Sequence, residues 1–79
     1  MEKEGDTDFA IHVAVVDDAI TVTMPGTRYS ITYRKPGKTP WLVASDIRED
    51  FNSPINRFTF RARAWIAAND KARELGWIV

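Results

Sequence analysis

The chain contains no cysteine among its 79 residues. This absence excludes a disulfide, a thiol nucleophile and a cysteine-ligated metal. It also suits a reducing compartment. The acidic start Met1–Glu4 and the short apolar run that follows it are unlike a signal peptide, so we expect a soluble, cytoplasmic protein.

Histidine is nearly absent as well, since His12 is the only one in the sequence. It lies inside a predicted strand with no serine nearby to activate, and its spacing to the scattered carboxylates is not typical of a metal site. The densest acidic cluster, Asp46 to Asp50, lacks the calcium-loop pattern and is interpreted as a solvated turn. We therefore predict that the protein is not an enzyme and has no catalytic residue, metal site or cofactor.

An excess of one charge and long apolar runs are also missing. The formal net charge is +0 and the sequence pI is ≈ 6.6, which argues against a general binder of polyanions. No stretch approaches the roughly 20 apolar residues that a membrane-spanning helix needs, so no membrane partner is expected. The length allows one domain, which we predict over residues 9–79 after a flexible acidic N-terminus over residues 1–8.

What the sequence does contain is four short runs in which apolar and polar residues alternate, a pattern typical of strands. Turn signals separate them at Asp17-Asp18, Pro25-Gly26 and Pro36-Gly37. Strands joined by such short connections form an antiparallel meander. The predicted strands are Phe9–Val16, Ala19–Met24, Arg28–Arg34 and Trp41–Ser45, and Ile47–Asn52 is predicted to be a loop or a helical turn.

One segment, Thr59–Leu75, has helical periodicity and is rich in alanine, the best helix former. Thr59 is the predicted N-cap, and Gly76 can take the left-handed conformation that ends a helix, with Trp77 folding back. At about 3.6 residues per turn, Phe60 falls on the side that faces water. The stripe predicted to be buried consists of Phe58, Trp65, Ala68, Ala72 and Leu75.

These elements predict an α+β fold: a four-stranded antiparallel meander with one C-terminal helix packed on one face. The register of the last strand has two alternatives. Trp41 enters the core if the loop before it contains a bulge, or it lies opposite Arg34 on the outer face if that loop is regular. Burial of a large aromatic side chain favours the first alternative, so we expect Trp41 inside.

The segments Tyr29-x-Ile31-x-Tyr33 and Trp41-x-Val43 and the alanine-rich helix up to Gly76 resemble small, uncharacterised bacterial proteins in which a strand meander precedes a single C-terminal helix. The resemblance covers most of residues 20–78 and consists of general sheet-and-helix patterning. It implies this fold and no known activity, so no site residue is transferred by it.

The aromatic side chains are more numerous than one helix can cover, which favours a non-catalytic interaction or regulatory module. Its partner is an unidentified protein or a second copy of the chain. We predict protein contacts at Phe60, Trp77 and Ile78, and the edge strand Phe9–Val16 offers backbone groups for pairing. The alternative for the last residues is that they fold back and complete the core.

Nucleic-acid binding is the second hypothesis, since small sheets with a helix on one face recur among nucleic-acid-binding modules. Cations on the third strand, the loop after it and the start of the helix would contact phosphates. The zero net charge disfavours this hypothesis. Its predicted residues are Arg28, Arg34, Lys35, Lys38, Arg57, Arg61 and Arg63, and the competing interpretation is that Arg61 and Arg63 pair with the Asp46–Asp50 loop.

Overall fold

A computed structural model describes residues 10–79 of the protein, so the predicted flexible segment 1–8 and Phe9 lie outside the described residues. Four strands precede one helix in the order that the sequence predicts. The elements are β1 (His12–Val16), β2 (Ala19–Thr23), β3 (Ser30–Arg34), β4 (Val43–Arg48) and α1 (Arg57–Glu74).

The strands form one antiparallel sheet in the order β1-β2-β3-β4. A two-residue turn at Asp17-Asp18 joins β1 to β2, and Asp17 has a positive φ of 55°, which Asp tolerates better than most residues. The helix lies on one face of this sheet, so the predicted α+β meander with a C-terminal helix is confirmed.

Strand β4 extends further than predicted. Ile47 and Arg48 pair with Ile31 and Ser30 of β3, so they continue the sheet where the sequence predicts a loop or a helical turn. The charged sequence around them suppressed the strand signal, because charged residues are depleted in strands with a buried face. That prediction is wrong, and its error matters because β4 turns out to be the most exposed strand.

The core lies between the inner face of the sheet and a narrow stripe of α1. Alternate residues of β2 and β3 supply the sheet side. On the helix, the buried residues recur every four positions, which places them on one line along its axis. The buried core residues are Ile20, Val22, Met24, Tyr29, Ile31, Tyr33, Leu42, Phe60, Ala64, Ala68 and Ala72.

The predicted phase of the helix is wrong at its large side chains. Phe60 is 1% exposed and stacks on Tyr29 with ring centroids 4.7 Å apart, whereas Trp65, Phe58 and Leu75 are exposed. The three alanines that follow Phe60 at intervals of four let the helix backbone approach the sheet closely. The interface therefore selects the smallest side chains of α1, whereas the predicted stripe included the largest apolar ones.

Both ends of α1 are capped. Asn56 rather than the predicted Thr59 is the N-cap, and its side-chain oxygen accepts from the Phe58 amide at 2.7 Å. At the other end Gly76 takes a φ of 79°. The Gly76 amide donates to the Arg73 carbonyl at 3.1 Å and the Trp77 amide to the Ala72 carbonyl at 2.8 Å, the two bonds of a Schellman motif. The predicted glycine stop is confirmed.

Trp41 is exposed, and its neighbour Leu42 occupies the core instead, so the expectation that Trp41 is buried is wrong. The register between β3 and β4 shifts by one residue between Thr32 and Tyr33, which leaves Ser45 without a partner in β3. The irregularity thus lies inside β4 and not in the loop before it. Because one residue is left out of the register, the residues before it change faces, and Leu42 instead of Trp41 points to the core.

Candidate interaction surface

Strand β4 is the part of the sheet that α1 does not cover. The helix packs on β1, β2 and β3, and all six residues of β4 are exposed. Within residues 10–79, no strand pairs with the far side of β4, so its outward backbone groups are open to a partner.

The width of the helix explains this exposure. An α-helix is about 10–12 Å wide with its side chains, and neighbouring strands lie about 4.8 Å apart. A single helix therefore covers two to three strands. Because Ala64, Ala68 and Ala72 pull α1 close to β2, the uncovered strand is the one furthest along the sheet.

Exposed apolar side chains occur on the face of the sheet that carries the helix and on α1 itself. Ile47 is 44% exposed and Trp65 is 45% exposed. Phe58, seven residues before Trp65, lies on the same flank of α1 and is 63% exposed. We call Ile47, Phe58 and Trp65 the apolar strip. Together with the open backbone of β4, it offers both side-chain and main-chain contacts to an extended segment.

Tyr33 lies where the covered and uncovered parts of the sheet meet. Its ring packs against Trp65 with centroids 5.8 Å apart and planes inclined by 57°. Burial raises the pKa of Tyr33 above its usual value of 10.0, and the nearby Arg61 guanidinium opposes that rise. The phenol is therefore neutral at physiological pH.

Glu49 fixes the end of β4 to the start of α1. Its carboxylate accepts from Arg57 at 3.3 Å through one oxygen and from Arg61 through the other. The Glu49 side chain is only 17% exposed, so this charged bridge is better shielded from water than an ordinary surface pair. The bridge ties the residue after β4 to the first turns of α1, although α1 does not lie over the strand.

Asp50 organises the loop that follows. One oxygen of its carboxylate accepts from the backbone amide of Arg28 at 2.9 Å, and the other accepts from the Asn52 amide at 3.0 Å. Among residues 10–79 no group of three or more His, Asp or Glu side chains is arranged to hold a metal ion. Glu49 and Asp50 act as ligands to the protein's own cations and amides.

The cations predicted to bind nucleic acid lie in separate places. Arg57 and Arg61 bind Glu49, and Arg34 pairs with Asp18 at 3.3 Å. Arg63 lies on the flank of α1 opposite Arg61, because two residues turn a helix by more than half a turn. The remaining predicted residues are exposed or half-buried and lie outside α1: Arg28 before β3, and Lys35 and Lys38 in the loop after it.

The predicted protein contacts have mixed positions. Phe60 is buried, so its predicted exposure is wrong and its ring is inaccessible to a partner. Trp77 and Ile78 are half-buried and pack against the core, as in the alternative that the sequence left open. The apolar strip takes the place of Phe60 as the accessible aromatic surface. The sequence predicted Trp65 in the core and Ile47 in a loop, and the charged residues around Ile47 gave no strand signal.

Comparison with models of known families, with curated proteins and with solved structures finds no match for this chain. In the described part of the chain, α1 is the one long helix, and it is too polar to cross a membrane. The surface around β4 is therefore interpreted from its own geometry.

Proposed function

We propose that the protein is a non-catalytic protein-interaction module that binds an extended segment of a partner along the open edge of β4. The observation that carries this proposal is the exposure of all six residues of β4 beside the apolar strip. A partner strand would add a fifth strand to the sheet through main-chain hydrogen bonds.

The two kinds of contact have separate roles. Main-chain hydrogen bonds supply affinity for any extended segment, and pockets for alternate side chains supply selectivity. On the helix side, Ile47 and Trp65 favour an apolar or aromatic side chain at every second position of the partner. On the outer side, Asp46 and Arg48 favour charged or hydrogen-bonding side chains.

Nucleic-acid binding is the less favoured function. Three of its seven predicted cations already pair with carboxylates of the chain, which neutralises the charge that phosphates would meet. The net charge of +0 supplies no general attraction to a polyanion. We propose the cytoplasm as the compartment, because a cysteine-free chain needs no oxidising environment.

A selection from a random peptide library tests the proposal. Peptides are selected on the wild-type chain, then assayed against Ile47→Lys, which places a charge in the apolar strip at the edge. The matched control is Val16→Lys, an exposed position on the opposite edge strand β1. We expect binding peptides with alternating apolar residues, whose affinity falls at least about tenfold with Ile47→Lys and is unchanged with Val16→Lys.

Nuclear magnetic resonance then locates the bound peptide. We expect amide shift changes in β4 and at the Trp65 indole, with β1 unaffected. Peptides that bind Ile47→Lys as well as wild type would contradict the proposal. So would the absence of binding peptides combined with salt-sensitive binding of oligonucleotides, which would favour the nucleic-acid hypothesis.

A further inference from the structure

We infer that the partner strand at β4 is the β4 strand of a second copy of the chain, paired antiparallel about a two-fold axis that passes beside Ile47. The inference rests on the proposed function, because it uses the same open edge. It goes further by naming the partner and the register.

The charges on the outer face of β4 carry the register. Asp46 lies opposite Thr32 and Arg48 opposite Ser30, so both side chains belong to the polar face of the sheet. Antiparallel pairing of Ile47 with Ile47 of the second copy puts each Asp46 opposite the other copy's Arg48. The contact is self-complementary, as a two-fold interface requires, and contains two opposite-charge pairs.

The inner face of the same register is apolar. The two Ile47 side chains meet at the axis, on the side of the sheet that carries α1 in each copy. Trp65 of each copy is exposed on α1, which lies on this same face of the sheet. The apolar strip, exposed in one chain, thereby lies near the middle of a continuous eight-stranded sheet that carries both helices on the same face.

The irregular residue Ser45 explains why pairing is centred on Ile47 and not on the middle of the strand. Full overlap of the six residues would bring the unpaired Ser45 into the centre of the new ladder, where a bulge disrupts hydrogen bonding. It would also place Arg48 opposite Val43, away from any carboxylate. The regular half of β4, Asp46–Arg48, avoids both problems.

A charge exchange tests the register by analytical ultracentrifugation of the 79-residue chain. Asp46→Arg puts two arginine pairs across the axis, and Arg48→Asp puts two aspartate pairs there. We expect wild type to dimerise reversibly and each single variant to raise the dimer dissociation constant by roughly 30-fold or more. The double variant Asp46→Arg/Arg48→Asp is expected to restore the wild-type constant within about threefold.

Mixing the two single variants tests the charge pairing more specifically. Asp46→Arg presents two arginines and Arg48→Asp presents two aspartates, so their mixture is expected to form a heterodimer at concentrations where each variant alone is mostly monomeric. Asp70→Arg and Arg73→Asp on exposed α1 positions carry the same net charges and serve as matched controls. We expect those two variants to dimerise like wild type, alone or mixed. Circular dichroism of every variant checks the fold.

The outcomes separate this inference from the proposed function. A wild-type chain that stays monomeric at millimolar concentration but binds peptides at β4 overturns the second copy and leaves the interaction module standing. If the dimer dissociation constant is unchanged by the charge exchange at positions 46 and 48, the proposed register is wrong. If neither peptides nor a second copy bind β4, both proposals fail.

Discussion

The two edge strands of the sheet differ in what covers them. β1 packs against α1 on one face, and Val13 and Ile11 contact the core. No Cα atom of β4 lies within 8 Å of a Cα atom of α1, and all residues of β4 are exposed. The strands have nearly the same length, so the difference comes from the position of the helix and not from the strands themselves.

This comparison shows how one short helix divides a four-stranded sheet into a structural and an accessible part. The alanine stripe brings α1 down onto β2, where it covers the neighbours on either side and leaves the fourth strand bare. An uncovered edge is prone to unwanted pairing unless charges or a bulge limit it. β4 has both, at Asp46, Arg48 and Ser45.

The largest effect is expected from a variant that weakens the packing of α1 on β1, β2 and β3. Phe60→Ala empties a buried position on α1 and is expected to cost about 3–5 kcal/mol of unfolding free energy. The control, Phe58→Ala, truncates an aromatic ring on the uncovered flank and is expected to cost at most about 0.5 kcal/mol. Urea unfolding followed by circular dichroism measures both.

Equal losses at the two phenylalanines would mean that the helix has a different phase from the one described. The comparison of the two edges would then lose its basis, because the flank that carries Phe58 and Trp65 would be the packed one.

The next largest effect is expected from a variant that removes the ion pairs between the end of β4 and the start of α1. Glu49→Gln removes the charged bridge to Arg57 and Arg61, and we expect a loss of about 1 kcal/mol because both arginines are partly solvated. Glu74→Gln removes one carboxylate from a simple helix-surface pair with Lys71 and is expected to cost about 0.3 kcal/mol. Thermal unfolding at low and high salt measures the difference, which we expect to shrink with added salt.

A Glu49 loss no larger than that at Glu74 would show that the bridge does not hold β4. The position of the β4 end relative to the start of α1 would then need another cause.

The smallest effect concerns Tyr33, at the border between the two regions. Because burial raises its pKa above 10.0, the folded state holds the phenol proton more tightly than the unfolded state does. Its contribution to stability is complete below pH 10 and is lost as the pH rises through the folded-state pKa. We expect Tyr33→Phe to make the alkaline loss of stability shallower, as measured by urea unfolding from pH 9 upward.

Arg61→Gln sharpens that test, because it removes the cation that opposes the rise. Nuclear magnetic resonance titration of the Tyr33 ring is expected to show a higher pKa in this variant. A Tyr33 pKa below 10.0 in the wild type, or a Tyr33 pKa that is the same in the wild type and in Arg61→Gln, would contradict the described packing.

The architecture could be predicted from the sequence because its signals are local. Alternation marked the strands, Asp17-Asp18 marked the first hairpin, and Gly76 marked the end of the helix. The helix phase could not be predicted, because periodicity alone does not tell whether the alanines or the tryptophan face the sheet. That choice depends on how closely the two layers pack, which is a tertiary property.

The candidate surface was only partly predictable for the same reason. The sequence indicated surplus aromatic side chains and correctly placed the first strand at an edge of the sheet, but it predicted that Phe60 is exposed and did not indicate that β4 is the uncovered edge. Exposure of β4 depends on the irregularity at Ser45 and on which strands α1 covers, and neither has a local sequence signal. The acidic residues around Ile47 instead suggested a loop.

The absence of cysteine makes the most direct test simple, because the reaction rate of a single introduced cysteine measures how accessible its position is. Ile47→Cys on β4, Val13→Cys on β1 and Asp70→Cys on the exposed helix surface are each reacted with a fluorescent maleimide at nanomolar protein, where self-association is negligible. If β4 is the uncovered edge, the cysteine at position 47 reacts nearly as fast as that at position 70, and the one at position 13 reacts much more slowly. Equal protection at positions 47 and 13, or the reverse order, would contradict the account.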